Sequence, residues 1–185
     1  TNVLIDATLQ QGEYNGWTDK HSYWTSHLPT MIKGYESVAS QPAWKAMRNM
    51  GLHPKDAVLP DGKIMTGNVF RRNIVAYHGQ KSKLYQLNSN VPLGHNEFDY
   101  NLVWHFGLPI LTGQGSKDKP GADEWAAWQA LGKDTHSLVA DPLFVAPEKD
   151  DYRLRPGAPA LKLGFEPIPV GKIGPYKSPL RASWP

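Results

Sequence analysis

Asn68-Val-Phe70-Arg-Arg-Asn73-Ile74-Val75 returns as Asn96-Glu-Phe98-Asp-Tyr-Asn101-Leu102-Val103, every matched residue 28 positions after its counterpart. The shared pattern is Asn-x-Phe-x-x-Asn-(Ile/Leu)-Val, and its single offset argues against coincidence. A fixed period in the twenties marks an architecture in which each unit stacks on its neighbour. Phe, Ile and Val favour strands, and Leu84-Tyr85-Gln86-Leu87 between the copies reads as another short strand. Asn tolerates the left-handed backbone of sharp corners, and stacked Asn side chains can hydrogen-bond from one unit to the next. Strand, Asn corner and strand in repetition predict an all-β chain coiled as a parallel β-helix. Phe70 is then expected to stack on Phe98 in the core, and Asn73 on Asn101 at a corner.

The 185 residues suffice for one domain with a sizeable core. With 40% hydrophobic and 20% charged residues the chain is globular rather than disordered. Its 17 Gly and 16 Pro suit a turn-rich fold. No apolar run approaches the length of a membrane span. The absence of cysteine excludes disulfides and thiolate metal sites. A formal charge of +3 and a pI near 9.0 are too mildly basic to call for nucleic acid. Lys63, Arg71, Arg72, Lys81 and Lys83 lie in an interval without an acid. That interval reads either as a patch for an anionic polymer or as outward charges that discourage edge aggregation.

Val3-Leu-Ile5 reads as a strand already under way, with Val3 and Ile5 on one face and Leu4 and Asp6 on the other. The expectation is therefore a C-terminal portion of a longer protein, with a missing N-terminal portion packed against residues 1–7. A loop insertion is expected over 10–61, carrying Tyr14, Trp17, His21, Tyr23, Trp24 and His27 in quick succession. Aromatic faces stack on sugar C–H surfaces while polar tips fix hydroxyls, so the cluster suits a carbohydrate site. The alternative is that Trp17 and Trp24 pin the loop to the flank. Within it, Ser40 to Gly51 predicts a short helix capped by Ser40. Coils are expected over 62–120. A helix and connector are expected over 121–140, with Trp125, Trp128 and Leu131 spaced by three and Gly132 as the stop. Residues 141–185 are Pro-rich and read as a cap and extended arm.

Gly-Ala-Asp-Glu-Trp125, Trp128-Gln-Ala-Leu-Gly-Lys-Asp134-Thr-His136-Ser137, Val-Ala-Asp141-Pro-Leu-Phe-Val and Asp151-Tyr-Arg-Leu-Arg-Pro-Gly-Ala-Pro-Ala160 follow one another towards the C-terminus. This succession resembles the C-terminal end of secreted bacterial right-handed parallel β-helix proteins similar to glycoside hydrolase family 141. The resemblance covers most of residues 64–174. It implies a right-handed coil, a secreted, periplasmic or cell-surface location, and action on plant or algal polysaccharides as a fucosidase or xylanase. It also implies that Val3-Leu-Ile-Asp6 and Gly16-Trp17 match a strand Asp followed by a Gly-Trp loop. The seven residues Leu-Gln-Gln-Gly-Glu-Tyr-Asn stand where the family has a compact turn.

Glycoside hydrolysis needs two carboxyl groups across the scissile bond. Asp6, Glu13, Asp19 and Glu36 are available, and Asp6 with Asp19 forms the expected catalytic pair. Trp17, His21 and Trp24 are the expected substrate-binding residues. No metal or cofactor is expected, since His21, His27, His78 and His105 lack zinc spacing and no Ca²⁺ loop is present. His105 reads as lining a coil. The partner is a polysaccharide or oligosaccharide, with neither nucleic acid nor a membrane span. The chain is thus read as part of a hydrolase. A polysaccharide lyase and a non-catalytic glycan-binding or surface-structural protein are the alternatives.

Overall fold

A computed structural model describes residues 2–6, 9–11, 18–47, 53–64, 66–87, 91–112 and 124–169. The first strands are β1 (Val3–Ile5) and β2 (Leu9–Gln11), followed by helices α1 (Ser22–Val38) and α2 (Pro42–Ala46). Strands β3 (Val69–Arg71), β4 (Ile74–Ala76), β5 (Tyr85–Leu87), β6 (Glu97–Asp99) and β7 (Leu102–Trp104) come next. Helix α3 (Trp125–Ala130), strands β8 (Leu138–Val139), β9 (Phe144–Ala146) and β10 (Asp151–Leu154), and helix α4 (Pro159–Lys162) complete the order.

The repeated segments do pair with each other. Phe70 lies opposite Phe98 in the parallel β3–β6 pair, and Ile74 opposite Leu102 in β4–β7. Asn101 Oδ1 accepts both the backbone N–H (3.1 Å) and the side-chain amide (3.2 Å) of Asn73. The expectation of an all-β right-handed parallel β-helix is nevertheless corrected. The described strands are two to four residues long. They make one four-stranded parallel sheet in the order β1–β4–β7–β8, two parallel pairs, and an antiparallel β9–β10 pair. Together with four helices these form a mixed α/β structure with small sheets.

Two local features account for the difference. Trp24, Leu28, Ile32 and Tyr35 follow helical spacing and are the half-buried stripe of the 17-residue α1, where a loop was expected. The His21 ring accepts the Tyr23 N–H at its N-terminus, and Tyr35 packs edge-on against Trp44 and His53. Pro29 inside the helix removes one donor, while Thr25 and Ser26 hydroxyls donate to the carbonyls of Ser22 and Tyr23. Helix α2 starts from Gln41 rather than Ser40. Second, residues 144–162 form a hairpin and a helical turn instead of an extended arm.

The four-stranded sheet has apolar packing on both faces. Val75, Val103 and Leu4 face a cluster with Tyr85, Phe98 and Trp128, whose ring centroids lie 5.2–5.4 Å apart. Ile74, Ala76 and Leu102 face Phe144, Ala160 and Phe165 from the C-terminal segment. Beneath the first cluster, Asp134 is fully buried. Its carboxylate accepts Tyr85 Oη (2.6 Å), Trp128 Nε1 (2.8 Å), Asn101 Nδ2 (2.9 Å) and Ser137 Oγ (2.5 Å). Burial, then the Asp134 charge, hold the Tyr85 phenol well above its ordinary range, so it remains a donor.

Asn101 therefore joins the repeat ladder to the Asp134 hub, and its removal strands several buried groups at once. Asn101→Ala is expected to lower the unfolding free energy by about 2–4 kcal/mol in urea denaturation. Asn68→Ala, at the exposed rung of the same repeat, should cost under about 1 kcal/mol. Equal losses would contradict this account.

Candidate functional site

The site begins where the sheet ends. Ile5, Ala76 and Trp104 lie side by side as the last residues of β1, β4 and β7. Beyond them Asp6 takes a left-handed conformation (φ +48°) and donates its N–H to the Ala76 carbonyl at 2.8 Å. This breaks the strand's alternation: Leu4 packs inward while the Asp6 side chain stays more than half exposed. Its carboxylate accepts the His78 backbone N–H at 2.8 Å and lies 3.1 Å from His78 Nδ1 through both oxygens. An ionised carboxylate only accepts, so Nδ1 is the ring nitrogen that donates to Asp6.

The repeat continues through this region. His78 stacks on Phe106, 28 residues later, with centroids 4.0 Å apart and planes at 21°. Tyr77 stacks likewise on His105 at 4.3 Å. Trp104 tilts against Phe106 at 5.8 Å. His78, Trp104 and Phe106 form one side of a cleft of about 620 Å³, within the usual range for small-molecule sites. The C-terminal segment supplies the other side, including Asp141, Glu148 and Tyr152. Asp141 accepts the Leu143 N–H (2.8 Å), and Arg155 ties the wall together by donating to the carbonyls of Leu143 and Val145.

Hydrogen bonding from the His78 backbone, then from its ring, holds the Asp6 carboxyl below its ordinary value. Burial, then the Asp150 hydrogen bond and the charges of Asp150 and Asp6, push the Tyr152 phenol up. The arrangement offers apolar ring faces, an oriented imidazole and carboxylates from two chain segments.

A second Asp–His pair shows that the pairing alone does not mark a site. Asp99 accepts the His136 backbone N–H (2.8 Å) and lies 2.7 Å from its Nδ1, and His136 stacks on Tyr100 at 4.8 Å. Nearby, Arg71 is neutralised by Glu97 (2.8 Å), and Lys63 is paired with Asp61 (3.0 Å), so two cations of the acid-free interval have partners. A larger cleft of about 770 Å³ beside Val3 and Phe165 is apolar, and its Asp151 and Arg153 neutralise each other at 2.6 Å.

Of the residues expected from sequence, Asp6 stands at the 620 Å³ cleft through its contact with His78. Asp19 lies elsewhere: its N–H donates to the Gly62 carbonyl, and a Cβ at Gly62 (φ +80°) would come within 2.7 Å of its carboxylate. His21 begins α1, and Trp24 lies on that helix's half-buried stripe. Trp17 lies outside the described residues. His78, Trp104 and Phe106 were missed, although reading the repeat on to Gly79 and Gly107 places each beside its counterpart.

Comparison with protein-family models, curated proteins and solved structures finds no match to this chain. The site is therefore read from its own chemistry. Among the described residues no group of three His, Cys, Asp or Glu could hold a metal ion, and no helix is long and apolar enough to cross a membrane.

The depressed Asp6 carboxyl contributes stability above its unfolded value, and that contribution disappears as pH falls through the lower folded value. A carbon-detected NMR titration is expected to place the Asp6 midpoint below 3.8. His78→Ala should move it part of the way back, because the backbone N–H remains. An unchanged midpoint in that variant would show that the ring does not hold the carboxylate.

Proposed function

We propose that this chain forms part of a secreted, periplasmic or cell-surface enzyme that hydrolyses glycosidic bonds of a plant or algal polysaccharide. One observation carries the reading: the aromatic-lined cleft has the carboxylates Asp141 and Glu148 on its C-terminal side, and its His78 holds the Asp6 carboxylate from the sheet end. Trp104 and Phe106 offer flat apolar faces for the C–H surface of a sugar ring. Asp6, kept ionised by His78, is the base or nucleophile. Glu148, which lines the cleft on its C-terminal side, is assigned as the acid for the leaving oxygen. The resemblance of the C-terminal stretch to polysaccharide-acting hydrolases is consistent with this chemistry.

One feature favours a second reading, polysaccharide elimination. His78, oriented by Asp6 through Nδ1, is the candidate base for abstracting a sugar-ring proton. Arg155 in the same cleft is a cation for the neighbouring uronate.

A panel of plant and algal polysaccharides separates the possibilities. Hydrolysis releases reducing ends without ultraviolet-absorbing product, elimination gives an unsaturated absorbing product, and binding without turnover indicates a glycan-binding protein. For hydrolysis, Asp6→Asn and Glu148→Gln are each expected to lower turnover by about 100-fold or more while the protein stays folded by circular dichroism. Wild-type rates in both variants would remove the cleft from the chemistry.

A further inference from the structure

The strands of the central sheet have similar starts. Asn2-Val3-Leu4 leads into β1, Asn73-Ile74-Val75 into β4 and Asn101-Leu102-Val103 into β7, and Ser137-Leu138-Val139 stands beside them at β8. The amides at these starts bond in one direction. Asn101 Oδ1 accepts the backbone N–H and the side-chain amide of Asn73, and Asn96 Oδ1 accepts the same two donors of Asn68. Towards β8 the line is closed: the Asn101 N–H donates to Ser137 Oγ, which donates in turn to the buried Asp134 carboxylate. Towards β1 it is open. Asn2 gives its side-chain N–H to Asn73 Oδ1 and is itself exposed, and its own Oδ1 takes no donor among the described residues.

The backbone is open on the same side. The Ile74 N–H donates to the Asn2 carbonyl at 2.9 Å, and the Asp6 N–H donates to the Ala76 carbonyl at 2.8 Å. Bonding residues alternate along a parallel strand, so Leu4 also faces β4, while Val3 and Ile5 turn their N–H and C=O groups away from the sheet. Natural sheet edges are usually blunted by a charge, a proline or a bulge. Val3-Leu4-Ile5 is a sheet edge with none of these.

The side chains define what fits there. Ile74 and Leu102 are fully buried in the column that Val3 begins, and Val75 and Val103 in the column of Leu4, whereas Val3 and Leu4 are only half-buried. Beside Val3 lies the apolar cleft of about 770 Å³, with Phe165 and Ile168 in its wall. We propose that β1 is the docking edge for one parallel strand of a partner polypeptide, and that this strand reads asparagine followed by two aliphatic residues. Its asparagine donates the backbone N–H and the side-chain amide to Asn2 Oδ1. Its backbone pairs with Val3 and Ile5, and its aliphatic side chains lengthen the two apolar columns, one of them at the cleft. Strand addition of this kind takes affinity from the backbone and specificity from alternate side chains. A second copy of this chain fits less well. Its other sheet edge, β8, offers Ser137, whose hydroxyl and N–H already donate to Asp134. The proposal does not depend on the 620 Å³ cleft being catalytic.

A synthetic peptide with the sequence of residues 68–76, which contains Asn73-Ile74-Val75, serves as the probe for the full chain. Amide NMR is expected to show saturable shifts at Val3 and Ile5 and slower hydrogen exchange there, with the Leu4 exchange rate changed least. The same peptide carrying Asn73→Ala should bind about tenfold more weakly, since it lacks the side-chain donor. The substitution lies in the peptide, so the fold of the protein is untouched. No saturable change at Val3 and Ile5 up to millimolar peptide would overturn the proposal. Equal binding of the two peptides would overturn the asparagine and with it the identity of the strand. Slowed exchange at Val3 and Ile5 that grows with protein concentration and needs no peptide would assign the edge to a second copy and overturn the partner. None of these results involves polysaccharide turnover.

Discussion

The structure depends most on a line of amide side chains that fixes the register of the central strands. Asn2 Nδ2 donates to Asn73 Oδ1 at 3.0 Å, Asn73 donates twice to Asn101, and the Asn101 N–H donates to Ser137 Oγ at 2.7 Å. The line ends on the buried Asp134 carboxylate. Because strand side chains alternate with a period of two, a slip of one residue would turn Val75 and Val103 out of their cluster and bury the wrong face. Apolar packing alone tolerates sliding, whereas a buried amide left without its partner does not. The amides thus decide which of several apolar pairings is formed.

The repeat exposed this much of the fold in the sequence: the Phe70–Phe98 and Asn73–Asn101 pairs follow from it directly. Asn2 was not legible, because it lies 71 residues from Asn73 and is itself outside the repeated pattern. Asp134 was quoted only as part of a resemblance, and nothing in a lone acid reveals four donors gathered by three other segments. Helix α1 was legible but overlooked: the density of polar aromatics read as loop, while the stripe from Trp24 to Tyr35 carried the helical period. Short strands and an antiparallel C-terminal hairpin then made the whole a mixed structure, because two stacked repeats do not determine what surrounds them.

The site divides along the same line. Asp6 could be picked out as a carboxylate at a strand end, but its partner depended on the β1–β4 pairing, which places Ile5 opposite Ala76 and so Asp6 near His78. The choice of Asp19, His21 and Trp24 came from density in sequence, and these residues have local tasks at the Gly62 turn and in α1. The C-terminal wall, with Asp141, Glu148 and Tyr152, was invisible as a wall because the segment was read as an arm. A short hairpin packed on Ile74, Ala76 and Leu102 brings those residues over the ends of the strands.

The sheet ends and the C-terminal hairpin are proposed to form the ligand site together. Amide chemical-shift mapping on titration with defined plant and algal oligosaccharides tests it most directly. Saturable shifts centred on His78, Trp104, Phe106 and Tyr152 are expected. Shifts confined to His21 and Trp24 on α1, with the cleft silent, would contradict it.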